Sequence, residues 1–369
     1  MIYLDSAATS FLKPPSVKAA MINALETMSS PGRGAYRAAM NAAEKVYECR
    51  ELVCRLMNFP HPENVVFTMN ATHALNIAIK TLAKAGSRVV VSGYEHNSVT
   101  RPLHDLGAEI DVAAGNLFDA DDVIRRFADK IPGADLVVCN HVSNVFGFVQ
   151  PVDEVARLCR KHGVPLIIDA SQSAGIEDID AGSLGAAFIA MPGHKGLMGP
   201  QGTGVLLCGE SPVPLISGGT GSESILQMMP KYLPDAAEAG THNVVGIAGL
   251  CAGLRYVIRT GAGAIGSYER SLCDEAANIL KQIPALRVYS AHGAVQTGVL
   301  SIQHEKIDCE SLCETIGKRG IAARCGLHCA PLAHKTVGTL DRGTVRLSFS
   351  PFISRQQMLR ACREISRIS

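Results

Sequence analysis

Three observations on the 369-residue chain predict an α/β fold: a large domain built on a mostly parallel sheet flanked by helices, with a smaller α+β C-terminal domain. Short apolar runs rich in β-branched residues recur between residues 64 and 207, and continuous apolar character suits strands buried on both faces of a parallel sheet. Amphipathic stretches at helical spacing lie between these runs. Beyond about residue 256 the alternation changes texture, and a chain of this length has room for more than one lobe.

The apolar runs occupy residues 64–67, 88–91, 135–138, 165–168, 187–189 and 204–207. Between two of them, Val152–His162 places Val152, Val155, Ala156 and Cys159 on one helical face. Residues 13–255 are therefore expected to form the large domain, and residues 256–369 the small one. In the latter, helix-like stretches at 268–283, at 309–319 and from Ser354 accompany strand-like stretches at 288–290, 298–302 and 344–348. Residues 1–12 are expected to pack with the small domain. No internal repeat or low-complexity tract interrupts the pattern.

Composition narrows the class. Hydrophobic residues make up 47% and charged residues 19%, with 35 basic against 34 acidic side chains and a net charge of +1. No basic footprint for nucleic acid or a membrane surface is present. No run of about 18 apolar residues predicts a membrane span. Met1-Ile2-Tyr3-Leu4-Asp5 lacks the basic and apolar regions of an export signal. The twelve cysteines are scattered without CxxC spacing, which predicts reduced thiols in the cytoplasm rather than disulfides or zinc.

Each apolar run leads into polar residues. Thr68-Met69-Asn70-Ala71-Thr72-His73, Glu95-His96-Asn97, Asn140 to Asn144, Asp169-Ala170-Ser171-Gln172 and His194-Lys195 follow five successive runs. In an open parallel sheet these carboxyl ends converge on one edge, where ligands bind. A lysine delivered there from a buried strand is poorly solvated, which favours its neutral, nucleophilic amine. Asn70-Ala71-Thr72 opens a helix-like stretch whose amides and hydroxyl suit a phosphate. Asp169 suits a protonated ring nitrogen, His96 a stacking face, and Asn144 and Gln172 a phenolic oxygen. Together with Lys195 they describe a site for pyridoxal 5'-phosphate (PLP).

Seven motifs then occur in a familiar order: Tyr3-Leu4-Asp5-Ser6-Ala7-Ala8-Thr9, Glu95-His96-Asn97, Ser143-Asn144-Val145-Phe146-Gly147, Asp169-Ala170-Ser171-Gln172, Gly193-His194-Lys195, Glu238-Ala239-Gly240-Thr241 and Arg324-Cys325-Gly326-Leu327-His328-Cys329. The chain resembles the class V aminotransferase-like PLP enzymes of fold type I. Within them it is similar to the type II cysteine desulfurases and selenocysteine lyases. The resemblance implies a seven-stranded sheet and a homodimer with shared active sites.

It also implies roles for single residues. Lys195 would carry the cofactor, with Asp169 on the pyridine nitrogen, His96 stacked on the ring, and Asn144 and Gln172 near the ring oxygen. Ala71, Thr72 and His194 would face the phosphate, joined by Thr241 from the partner subunit. Arg346 would clamp the substrate carboxylate beside Asn144. Lys195, Cys329 and His96 would form the catalytic set, with neighbouring His328 favouring the Cys329 thiolate. Cys325, four residues earlier, falls outside the matching slot and would be structural or share the persulfide. Three positions depart from the family pattern: Pro192 stands at a usual phosphate-binding serine, Ala71 at a common threonine, and Leu327 where a second histidine is frequent.

The implied activity converts L-cysteine to L-alanine and leaves the sulfur on an enzyme cysteine as a persulfide, which passes to an acceptor protein. L-selenocysteine cleavage to alanine and selenide is the alternative. A class V aminotransferase and a non-catalytic PLP-fold partner protein are further ones, though neither explains both Lys195 and the Cys329 loop.

Overall fold

The computed structural model describes residues 1–32 and 34–368. Its strands are β1 (Ile2–Tyr3), β2 (Val65–Thr68), β3 (Arg88–Ser92), β4 (Glu109–Ala113), β5 (Leu136–Asn140), β6 (Leu166–Asp169), β7 (Phe188–Pro192), β8 (Gly204–Cys208), β9 (Leu286–Tyr289), β10 (Val299–His304), β11 (Ile321–Ala322), β12 (Arg324–Gly326) and β13 (Thr344–Ser348). The helices are α1 (Pro15–Thr27), α2 (Arg37–Met57), α3 (Ala71–Leu82), α4 (Asn97–Asp105), α5 (Ala120–Lys130), α6 (Val152–His162), α7 (Ala181–Leu184), α8 (Val244–Thr260), α9 (Ala262–Leu280), α10 (Cys309–Lys318), α11 (Pro331–Val337) and α12 (Arg355–Ile365).

Seven strands form the large sheet in the order β2-β8-β7-β6-β5-β3-β4, and only β8 runs against its neighbours. Its central strands are buried along their whole length, so both faces need apolar cover. Alternate residues supply it: Val90, Val137 and Ile168 pack on one face, while Val89, Val91, Val138 and Ile167 pack on the other. All six apolar runs read from the sequence are strands of this sheet. The seventh, β4, is an edge strand whose Glu109 and Ile110 are exposed, so its Glu-Ile-Asp-Val-Ala run lacks the apolar signature.

A second, antiparallel sheet runs β12-β13-β10-β9 and packs on a core that includes Leu272, Leu312 and Met358 from α9, α10 and α12. Residues 2–3 pair in parallel with 321–322, and Asp5 bridges Ser348. The start of the chain is thereby tied to the small sheet. Among the described residues no single helix is long and apolar enough to cross a membrane. Together α8 and α9 have the length and apolar composition of a span, but they meet at a bend of 79°.

Register sets the level of the site. Asn140 pairs with Asp169 and Asp169 with Ala190, so β5, β6 and β7 end side by side.

Candidate active site

β7 ends at Pro192, and Gly193-His194-Lys195 turns away beneath it. A side chain at Gly193 would meet Thr203 Oγ1 at 2.1 Å, so this turn admits only glycine. Its amide donates to Thr203 O at 2.8 Å and its carbonyl accepts from Gly199 N at 2.7 Å. Lys195 thus leaves a rigid support and enters a cavity of about 210 Å³. Burial lowers its pKa to about 8 against the pull of Asp169, which favours the ammonium.

Asp169 closes β6 and is almost fully buried. Its Oδ1 accepts the Ser171 amide at 2.9 Å and contacts the Ser171 hydroxyl, which leaves Oδ2 for a ligand. His96 caps α4: its Nδ1 accepts the Ser98 amide at 3.0 Å, so the neutral tautomer carries its hydrogen on Nε2. Burial pushes the His96 pKa down to about 4. Below both lies Glu95, wholly buried, whose Oε1 accepts from Ser92 Oγ at 2.6 Å and Asn140 N at 2.7 Å. Burial raises its carboxyl pKa to about 8.

One end of the cavity is built for an anion. Asn70 caps α3 by accepting the His73 amide at 2.9 Å, and the amides of Ala71 and Thr72 have no acceptor within the helix. Thr72 Oγ1 lies 2.7 Å from Ser98 Oγ, and His194 Nδ1 lies 3.0 Å from Thr9 Oγ1. Pro192 lines the same end without an N–H or hydroxyl to offer.

The opposite wall comes from the small sheet. Arg346, 2% exposed, donates to Asn144 O at 2.8 Å and to Asp5 Oδ1 at 2.9 Å. Arg324, its register partner on β12, is exposed and also lines the cavity, as does exposed Cys329. Cys325 alternates to the other face of β12 and lies against Cys313. His328 and Cys329 both have positive φ, 50° and 55°, and the chain is pinned there by Asn144 Nδ2 on His328 O (2.8 Å) and Asn97 N on Cys329 O (2.7 Å).

The His328 expectation needs correction. Its ring is buried, with Nε2 3.2 Å from Thr344 O, and burial with Arg346 nearby drives its pKa down to about 2. A neutral imidazole gives the Cys329 thiolate no charge to pair with. Among the described residues Arg324 is the free cation on this wall, and Asp5 is the partner that the sequence did not assign to Arg346; both sit in quoted motifs, but only the fold shows what they face. The amide nitrogens of Asn144 and Gln172 are already engaged, by His328 O and by Ala7 O at 2.9 Å, so each presents its carbonyl oxygen.

All the cavity residues expected from the sequence, Ala71, Thr72, His96, Asn144, Asp169, Gln172, His194, Lys195, Cys329 and Arg346, converge here. Thr241 does not. It is exposed on a separate surface cavity, on a turn anchored by Glu238, which pairs with Arg50 at 2.7 Å and His242 at 2.5 Å. Among the described residues Asn144 Oδ1, His328 Nδ1 and Arg346 Nε are buried without a partner. Such atoms mark a place that a polar ligand completes. An amine, a carboxylate with a free oxygen, a helix N-terminus and two guanidiniums fit PLP together with an amino-acid substrate.

The profile of the family Aminotransferase class-V matches residues 2–360, and the chain belongs to that family. Its relatives narrow the kind of enzyme. A probable cysteine desulfurase of Pyrococcus abyssi is 31% identical over 97% of this chain and 92% of its own length. Another, from Methanothermobacter thermautotrophicus, is 33% identical over 94% and 89%. The apo structure of a cysteine desulfurase from Thermococcus onnurineus superposes with a TM-score of 0.91 at 31% identity, covering 100% of this chain and 94% of that one. Class V aminotransferases and cysteine desulfurases are PLP-dependent enzymes, and the latter act on L-cysteine.

Proposed function

We propose that this chain is a PLP-dependent cysteine desulfurase that converts L-cysteine to L-alanine and takes the sulfur onto Cys329. The observation that carries the reading is the meeting of Lys195, Asp169 and Cys329 in one cavity, with Cys329 the exposed thiol. When bound, PLP supplies an electron sink for the substrate carbon next to the amino group. Asp169 Oδ2 would hold the proton of the ring nitrogen, His96 would cover the ring face, and α3 with Thr72 and His194 would hold the phosphate. Arg346 would hold the substrate carboxylate with its remaining N–H groups. Lys195, whose depressed pKa keeps much of it neutral near pH 8, would take the Cα proton on Nζ and return it to the product.

Cys329 Sγ, as thiolate, would attack the substrate sulfur. An S–S bond forms, the substrate Cβ–S bond breaks, and its electron pair stays on the Cβ of the three-carbon product, which takes up one proton there, equal to the one the Cys329 thiol gave up, and leaves as alanine. Exposure of Cys329 suits hand-over of the sulfur to an acceptor protein. The same reading takes the chain as a cytoplasmic homodimer whose Thr241 turn completes the partner's phosphate site. Residues 1–12 would belong with a small domain (256–369) and residues 13–255 would form the cofactor domain.

The test is Cys329→Ala with L-cysteine as sole thiol: wild type yields alanine and a persulfide on Cys329, and the variant yields neither above background. Alanine and sulfide at the wild-type rate would remove Cys329 from the reaction. Running L-selenocysteine beside L-cysteine separates the lyase alternative, which predicts turnover of selenocysteine alone.

A further inference from the structure

The N-terminal segment holds the turn that carries Lys195. Ser10 N and Ser10 Oγ both donate to His194 O, each at 2.9 Å, and Thr9 Oγ1 lies 3.2 Å from the same oxygen. Thr9 Oγ1 also lies 3.0 Å from His194 Nδ1. Lys13 Nζ reaches Ser10 Oγ at 2.7 Å. Ser10 is buried, and Thr9, Lys13 and His194 are half-buried, so a few hydrogens are shared among a few acceptors.

Counting those hydrogens fixes the direction of each bond. Burial lowers the Lys13 pKa only to about 8, so at neutral pH it keeps its ammonium. An ammonium has no lone pair, so Lys13 donates and Ser10 Oγ accepts. The Ser10 hydroxyl hydrogen is then left for His194 O. That carbonyl has two lone pairs, and the Ser10 amide and hydroxyl take both. The Thr9 hydrogen, farther from the carbonyl, is free for His194 Nδ1. Burial, with Lys195 and Lys13 nearby, pushes the His194 pKa down to about 4, so the neutral ring carries one N–H. With Nδ1 accepting from Thr9, that hydrogen sits on Nε2. Nε2 makes no hydrogen bond to the protein among the described residues, and His194 lines the main cavity while Thr9 does not.

We propose that Thr9 is a positioning residue whose hydroxyl sets the tautomer of His194, so that Nε2–H is the group offered to the cofactor phosphate. Ser10 and Lys13 act through Thr9, because they occupy the carbonyl that its hydrogen would otherwise choose. The reverse tautomer would present a lone pair to the phosphate oxygens and repel them. A donor already set in place costs nothing to arrange when the anion arrives. The inference rests on the proposed placement of the phosphate beside His194.

Thr9→Val keeps the shape and removes the hydroxyl, and Thr9→Ser keeps the hydroxyl. Thr9→Val is expected to weaken PLP binding about tenfold, the size of one lost hydrogen bond to a charged group. Thr9→Ser should recover most of that affinity. Nitrogen NMR of the full chain with labelled histidine reads the tautomer directly, His194 being assigned by the signal that His194→Ala removes. Wild type should carry its hydrogen on Nε2 with Nδ1 bare, and Thr9→Val should show a mixture of both tautomers. A wild-type His194 with its hydrogen on Nδ1, or unchanged PLP affinity in Thr9→Val, would overturn the inference. Full PLP affinity in His194→Ala would instead overturn the phosphate placement beneath it.

Discussion

The two walls of the main cavity are held together over different distances along the chain. On the wall made by strand ends, Ser171 steadies Asp169 and Ser98 steadies His96, each from two residues away. On the opposite wall Arg346 and Asp5 are 341 residues apart, and Asn144 and His328 are 184 apart. Those two contacts of the first wall each lie within a single turn. The second exists only when the N-terminal segment, the large sheet and the small sheet have met. Asp169 and His96 are thus set locally, whereas Arg346 and His328 are held only when the whole molecule has assembled.

Substitutions can break this comparison, beginning with the strand-end wall. Lys195→Ala should lower turnover on the order of 10⁴-fold, with melting temperature nearly unchanged, because the group's work is chemical. Loss of fold in this variant would show that the wall is not locally held. On the other wall, Arg346→Ala should lower kcat/KM by roughly 30- to 1,000-fold and also lower the melting temperature, since it leaves Asp5 and Asn144 O without their buried donor. Asp5→Asn is a milder cut: KM for L-cysteine should rise about fivefold with kcat little changed, as the guanidinium loses a charged anchor. A change confined to kcat would assign Asp5 to the chemistry instead.

Acid tests both walls at once. Burial lowers the pKa of His96 and His194 to about 4, and that of His328 to about 2. Each binds a proton more readily when unfolded, where its value is near 6.5. Stability is therefore full above about pH 6.5 and falls as pH drops toward the folded-state values, by roughly 1 kcal/mol per pH unit for each histidine. Denaturant titrations at pH 7 and pH 5 measure the difference, and equal midpoints would show that the rings are solvated.

The same contrast explains what could be read from the amino-acid sequence. Strands buried on both faces carry a continuous apolar signature, and the residue after each one is fixed by counting, so Asp169, His96 and Lys195 were accessible. β4 was not, because an edge strand with exposed Glu109 and Ile110 resembles a loop. The pairing of Arg346 with Asp5 has no local signal. Nor does the charge state of His328, because a histidine beside a cysteine invites a cationic reading until its burial is known.

Among the twelve cysteines, Cys329 alone is exposed, while Cys313 and Cys325 are half-buried and the others are buried. A small alkylating reagent should therefore mark one position first, giving a handle for a spin label or fluorophore at the mouth of the cavity. The same openness leaves this sulfur within reach of peroxide. A thiol this open is not sheltered from oxidants, so oxidative damage to this chain should begin at Cys329.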